Sequence, residues 1–312
     1  MQIHNIDRIM VFRQLRGRLF TLEEIARHYP IDPAGTLTYY GIVEQNVAHF
    51  RRTGQALNAS HRAVVQNLLA SLCAGARDEM MFQLAVEPLQ RPRPYDFVAA
   101  NMPLVEALAI ELQACQSQAL DFGKRLAVVV RYASEMNDAH GAPYAGGPSA
   151  FKESFVRIRT AFARHAPRVQ FAFSPALRAD LDVARVEPYW PGDEYVDVVG
   201  ATWYVHGDGQ RRRGMANMRT YFLDRVGLNK PFALDEFGGA LGDDQAHYRD
   251  NDLMLEDMLH EIEALRSQNV SFAYGTIFLD DRKYGVDATL RFLAGHDGTS
   301  PLTDRELDEK DR

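Results

Sequence analysis

Two cysteines in 312 residues exclude a disulfide framework as the organising feature of this chain. Cys73 and Cys115 both fall in stretches that read as helices, Leu68 to Ala76 and Leu104 to Leu120, and are expected as free thiols in the core. The opening MQIHNIDRIMVFRQLRGRLF lacks any long apolar run, since Arg, Gln or His interrupts each one, so it makes neither a signal-peptide core nor a membrane span. On that evidence the chain reads as soluble and cytoplasmic, with no membrane partner. A surplus of positive charge is also missing. The formal charge is -7, which gives no electrostatic reason for a nucleic-acid partner. The one notable basic run, Arg211, Arg212 and Arg213, sits among Gly207, Gly209 and Gly214 and reads as a solvated loop, or else as a contact for an acidic ligand.

Several chemistries are excluded by missing motifs. No glycine-rich turn follows the first strand pattern, as a dinucleotide site would require, and there is no phosphate loop and no Gly-x-Ser-x-Gly nucleophile elbow. HEIEA at His260 lacks the second histidine of a zinc-protease helix. Neither a metal nor an organic cofactor is expected.

What the chain does contain is the means to bury a large core: 46% hydrophobic residues with 25% charged. Short β-rich runs alternate with longer amphipathic stretches, the pattern of βα units around a parallel sheet. The runs fall at about 36 to 42, 47 to 51, 82 to 88, 126 to 133, 170 to 174, 196 to 202, 231 to 236 and 271 to 278. The second is the weakest, because its flanks also fit a helix from Val43. Helical patterns between them include His61 to Ala76, Leu104 to Leu120, Phe151 to His165, Met215 to Val226 and Asp250 to Gln268. Eight strands with intervening helices predict an α/β fold, a single-domain (β/α)₈ TIM barrel over residues 31–297. A helical extension over 1–30, with the run Leu22 to His28, and a charged, flexible tail over 298–312 flank it.

In such a barrel the active site forms at the carboxyl ends of the strands, so acids that finish an apolar run are the residues to examine. The fourth strand ends RYASEMND and the seventh ends FALDEFGG. Residues of equal parity on a strand share a face. Arg131, Ala133 and Glu135 are therefore expected to point one way, as are Phe232, Leu234 and Glu236, with Asp235 turned toward the helices. Two carboxyl groups facing a barrel mouth suit retaining glycoside hydrolysis, which needs them about 5 to 5.5 Å apart, one ionised and one protonated. Arg131 could keep either of them ionised, and desolvation could keep the other protonated. The same residues could instead be a buried Arg131–Glu135 ion pair and a helix-capping Glu236.

At these residues the chain resembles glycoside hydrolase family 26, which includes the endo-β-1,4-mannanases. That family ends its fourth strand with Arg, two variable residues, His, then Glu-Met-Asn; the matching stretch here is Arg131, Tyr132, Ala133, Ser134, Glu135, Met136 and Asn137. FAFSPA at 171 to 176, YWPGDEYVDVVGATWY from Tyr189 to Tyr204 and KPFALDEFG from Lys230 to Gly238 are similar to its fifth, sixth and nucleophile strands. The resemblance spans about residues 82 to 280. It implies Glu135 as acid/base, Glu236 as nucleophile, Tyr204 as a hydrogen-bond neighbour of the nucleophile, and Asn137 in the mouth. Trp190, Trp203, Tyr189 and Tyr144 are candidates for stacking on sugar faces or for core packing.

One departure stands out. Ser134 occupies the position of the family's histidine, and the aromatic platform after Glu-Met-Asn is altered to DAHGAPYAGG, so mannan does not follow as the substrate. The resemblance implies a retaining, endo-acting β-glycanase on a β-linked polysaccharide, mannan-like or a bacterial exopolysaccharide, and a secreted or periplasmic location. The alternatives are a non-catalytic carbohydrate-binding barrel and a transglycosylase using the same pair of glutamates.

Overall fold

The computed structural model describes residues 9–15, 18–19, 34–75, 77–138, 144, 147–177, 185–204, 208–226, 229–238, 263–265 and 267–280. Their β structure is one nine-stranded sheet. Its strands are β1 (Ile9–Leu15), β2 (Arg18–Leu19), β3 (Gly35–Gly41), β4 (Glu79–Glu87), β5 (Arg125–Tyr132), β6 (Gln170–Phe173), β7 (Val198–Tyr204), β8 (Phe232–Gly238) and β9 (Phe272–Asp280). Apart from the short antiparallel β2, they form a parallel ladder in the order β1-β9-β8-β7-β6-β5-β4-β3. β1 packs beside β3, which brings the two ends of the ladder together. The helices α1 (Glu44–Thr53), α2 (Ala59–Ala74), α3 (Pro94–Ala100), α4 (Met102–Asp121), α5 (Pro148–His165) and α6 (Asp208–Val226) connect the strands. The architecture is a single-domain (β/α)₈ TIM barrel.

Two expectations about its strands are corrected. Residues 47 to 51 are not a strand but the middle of α1. Glu44 in its first turn, Arg51 and Arg52 in its last, and a left-handed Gly54 at φ 71° after it supply the charges and the stop that a helix needs. The missing barrel strand is β1, which pairs with β9 from Ile9↔Gly275 to Gln14↔Asp280, so the segment taken as an extension contributes to the barrel wall. Seven residues suffice for such a strand, and the polar interruptions that exclude a membrane span do not exclude it. The helical runs expected at Leu22 to His28 and over most of Asp250 to Gln268, and the tail 298–312, lie outside the described residues.

The strands are buried on both faces, and alternation sorts their side chains into two layers. On β4, Met80, Phe82, Leu84 and Val86 face the helices, as Leu126, Val128, Val130 and Tyr132 do on β5. Inside the barrel, Met10, Met81, Val129, Ala172, Val198, Ala233 and Tyr274 form a separate apolar layer drawn from seven strands. A smaller apolar pair, Leu37 and Ala85 with Tyr39 packed against it, lies on β3 and β4 beside the buried polar residues of the interior. The outer helices start where the sequence allows it: Asn58 accepts from the backbone N–H groups of Ser60 and His61 to cap α2, and Pro residues open α3, α4 and α5. Arg211 to Arg213 belong to α6 rather than to a loop, and Arg213 is exposed. Cys73 is exposed and Cys115 half-buried, so neither thiol is a core residue.

Candidate active site

Inner-face alternation on β5 carries Ala127, Val129 and Arg131 into the barrel. Arg131 is fully buried there and forms an ion pair with Glu236, the partner it takes from the two glutamates open to it. The Tyr39 hydroxyl, on β3, donates to the same carboxylate oxygen, Oε1. The Arg131 guanidinium also lies 5.7 Å from the centroid of the Tyr39 ring. A charge buried this deeply is tolerable only with such partners.

Glu236 arrives inside by a route that simple parity does not give. Ala233 lies in the inner layer and Phe232 and Leu234 in the outer one, so parity sends Asp235 inward and Glu236 outward. The ladder slips at this point: Ala201 pairs with Leu234 but Thr202 with Glu236, and the pairing with β9 shifts between Leu234 and Phe237. The extra residue is a bulge, and it lets consecutive acids both face the interior. The expectation that Asp235 turns toward the helices is therefore corrected.

Asp235 is fully buried beneath the mouth. Its Oδ1 accepts from Gln83 Nε2 at 2.9 Å and from the Tyr274 hydroxyl at 2.5 Å, while Thr276 Oγ1 donates to Gln83 Oε1 at 3.0 Å. Burial pushes the Asp235 carboxyl up to about 6, against the pull of Arg131. Room for it comes from β7, where Gly200 has no side chain to obstruct the carboxylate.

Glu135 stands on a turn after β5, not on the strand. Ala133 and Glu135 take left-handed backbone angles, φ 49° and 58°, a costly conformation for residues with a Cβ. The turn is held on the β4 side by Ala133 N–H donating to Val86 O at 2.9 Å and on the β6 side by Glu135 N–H donating to Ser174 O at 2.8 Å. Asn137, expected in the mouth, spends its amide on Ala176, donating to its carbonyl at 3.0 Å and accepting from its N–H at 2.9 Å. Burial, with the charge of Glu236 next, pushes the Glu135 carboxyl up to about 8. The two glutamates thus face one electrostatic environment but in different company: Glu236 has a cation and a hydroxyl, and Glu135 is held as an acid.

A third carboxyl group belongs to this cluster. Glu87 closes β4, is 6% exposed, and accepts hydrogen bonds from Ser134 Oγ and the Tyr144 hydroxyl. The Tyr144 hydroxyl lies 2.6 Å from the Ser134 carbonyl oxygen as well. Burial pushes the Glu87 carboxyl up to about 7, against the pull of Arg131. The sequence offered the signal for it, an acid finishing the apolar run FQLAVEP, by the rule that picked out the other two. Tyr39 and Gln83 gave only the weaker signal of inner-face parity.

The aromatic candidates separate. Tyr144 is in the cluster. Trp203 is 1% exposed in the outer core against α6, where a Cβ on Gly214 would stand 2.5 Å from its Nε1. Tyr189 packs edge-on to Phe151, ring centroids 5.8 Å apart. Trp190 packs edge-on to Phe173 outside the barrel, its Nε1 donating to Asp193 at 2.9 Å. It borders a cleft of about 690 Å³ lined by Lys152, Glu153, Val156, Arg157, Pro191 and Gly192, away from the glutamates. Tyr204 ends β7, but its side chain lies outside the described residues; the tyrosine seen on Glu236 is Tyr39.

No family model matches the sequence. No curated protein matches it either. Solved structures do match the fold. The catalytic domain of an endo-beta-1,4-mannanase of glycoside hydrolase family 26 from Bacillus sp. JAMB-750 superposes with a TM-score of 0.61 at 15% identity, covering 88% of this chain and 78% of that one. A family 26 beta-mannanase from Bacteroides ovatus gives 0.60 at 16% identity, over 85% of this chain and 79% of that one. A beta-mannanase from a symbiotic protist of the termite Reticulitermes speratus, complexed with gluco-manno-oligosaccharide, gives 0.55 at 14% identity, over 95% and 87%. At such identities the likeness establishes a family 26-like barrel.

Proposed function

We propose that this chain is a retaining glycoside hydrolase of the family 26 type, with Glu236 as nucleophile and Glu135 as acid/base. The observation that carries this is the contrast between the two carboxyl groups in one barrel mouth: Glu236 meets the Arg131 guanidinium and the Tyr39 hydroxyl at one oxygen, whereas burial raises the Glu135 carboxyl to about 8 and favours its protonated form. That division is what double displacement requires.

In the first step a Glu236 oxygen bonds to the anomeric carbon as the glycosidic bond breaks, and Glu135 passes its proton to the departing oxygen. In the second, Glu135 takes a proton from water while the water oxygen bonds to the anomeric carbon and releases Glu236. No metal or organic cofactor takes part. The substrate is a β-linked polysaccharide cleaved internally. The mannanases among the structural neighbours put β-mannan and glucomannan first on a panel, and Ser134 in place of the family's histidine is the reason to include bacterial exopolysaccharides.

The test is release of reducing ends from such a panel, expected in the parent protein and abolished in Glu135→Ala and in Glu236→Ala. Azide is expected to rescue Glu236→Ala with a product of inverted configuration. Glycan binding without turnover in the parent would replace the hydrolase with a binding protein, and net inversion by the parent would overturn retention.

A further inference from the structure

The turn that presents Glu135 is tied on its β6 side by the backbone of Ser174 and the amide of Asn137. On its β4 side, besides the Ala133 N–H bond to Val86 O, the side-chain tie is a carboxyl group that the proposed reaction does not use, Glu87. Ser134 Oγ binds it from within the turn, and Tyr144 fastens both Glu87 and the Ser134 carbonyl. Glu87 is itself buried, within electrostatic reach of Glu135 and Glu236.

We propose that Glu87 is a positioning residue for Glu135: through Ser134 and Tyr144 it anchors the turn that carries Glu135. The charge of Glu87, once formed, also opposes ionisation of that neighbour. The proposal rests on the reading of Glu135 as the acid/base. Ser134, short and neutral, stands where the resemblance places an imidazole, and it gives its only proton to Glu87. Orientation that a ring could provide directly is then provided by a carboxylate reaching across from β4.

Charged and titratable groups from every adjoining element act here. Glu135 senses Glu236 from β8, Arg131 from β5, Asp138 from its own turn and Glu87 from β4. Glu87 in turn faces Arg131 and Glu236, and its charge reaches Tyr39, Tyr95, Tyr132 and Tyr144. Burial raises both carboxyl groups, Glu87 to about 7 and Glu135 to about 8, so whichever loses its proton second does so against the charge of the other.

The experiment compares the wild-type 312-residue chain with its Glu87→Gln and Tyr144→Phe variants. Two readouts are taken: the alkaline limb of kcat/KM on whichever glycan is cleaved, and the ¹³C carboxyl titration of Glu135 by NMR, assigned through its disappearance in Glu135→Gln. Glu87→Gln is expected to move both the limb and the Glu135 titration down by about half a unit to one unit and to lower kcat more than it raises KM. Tyr144→Phe keeps the charge, so kcat should fall while the limb stays within about 0.3 unit of wild type. A Glu135 titration unmoved in Glu87→Gln overturns the proposal. If thermal melting shows that Glu87→Gln does not fold, Glu87→Met removes the charge without a buried amide and is read in the same way. The NMR titration needs no turnover, so failure of hydrolysis and failure of this coupling give different results.

Discussion

Gly200 and Asp235 face each other across β7 and β8 so closely that a Cβ on Gly200 would stand 1.7 Å from Asp235 Oδ2. The glycine is thus the space in which a buried carboxylate sits, directly below the proposed nucleophile. Gly200→Ala must displace that carboxylate and strain its bonds to Gln83 and Tyr274, and we expect a loss of about 1 to 3 kcal/mol in urea unfolding. Asp235→Ala in the same chain should recover part of it. An additive double mutant would show that the two positions do not compete for space.

Three buried carboxyl groups are pushed up, Asp235 to about 6, Glu87 to about 7 and Glu135 to about 8. In the unfolded chain each ionises near pH 4, so between about pH 5 and 8.5 the folded state binds more protons and stability falls as pH rises. The denaturant midpoint at pH 5.5 is expected to exceed that at pH 8.5. Glu135→Gln should flatten the profile above pH 7, and a midpoint that rises with pH across this window would contradict the burial account.

Tyr39→Phe removes a hydroxyl that donates to Glu236 Oε1 and little else from the barrel. A hydrogen bond to a charged acceptor contributes about 1.5 to 3 kcal/mol, so kcat/KM should fall about 10- to 100-fold with folding intact. Wild-type kinetics in this variant would remove Tyr39 from the proposed machinery.

Arg131→Met leaves the Glu236 carboxylate buried without its cation. Breaking one side of such a pair costs about 3 to 5 kcal/mol, and a marked loss of thermal stability is expected together with loss of activity. Arg131→Lys should recover stability in part while missing the guanidinium geometry. An Arg131→Met protein as stable as the parent would mean that the ion pair is not maintained in solution.

The glycan assay also has a predictable pH form. Since Glu135 must be protonated in the first step, kcat/KM should decline above about pH 8, with a midpoint set by the free protein. Glu135→Ala acting on a substrate with an activated leaving group needs no such proton, and its profile should lose that limb. A limb that persists in Glu135→Ala belongs to another group.

Much of this was legible in the residues. Alternation on β4 and β5 separates the helix-facing side chains from the inward ones, because both faces are buried and the ladder there is unbroken. It places Arg131 inside the barrel, and the run-ending rule points to Glu135 and Glu236. The same rule points to Glu87 at the end of FQLAVEP, but the contact with Ser134 that gives it a place in the cluster spans 47 positions and shows only in the fold.

The remainder was decided in three dimensions. Parity holds only while each residue of a strand faces one residue of its neighbour, and the slip opposite Ala201 and Thr202, a property of two paired strands, turns Glu236 inward beside Asp235. β1 is a strand because β9 offers it an edge, whereas α1 is a helix by its own charges and stop. Glu236 finds Arg131 at a separation of 105 positions and Tyr39 at 197, contacts that barrel closure alone creates. The sequence by itself determined which residues are acidic at the ends of strands; the tertiary structure decided their protonation, since only packing sets which acid meets a cation and which meets apolar surroundings.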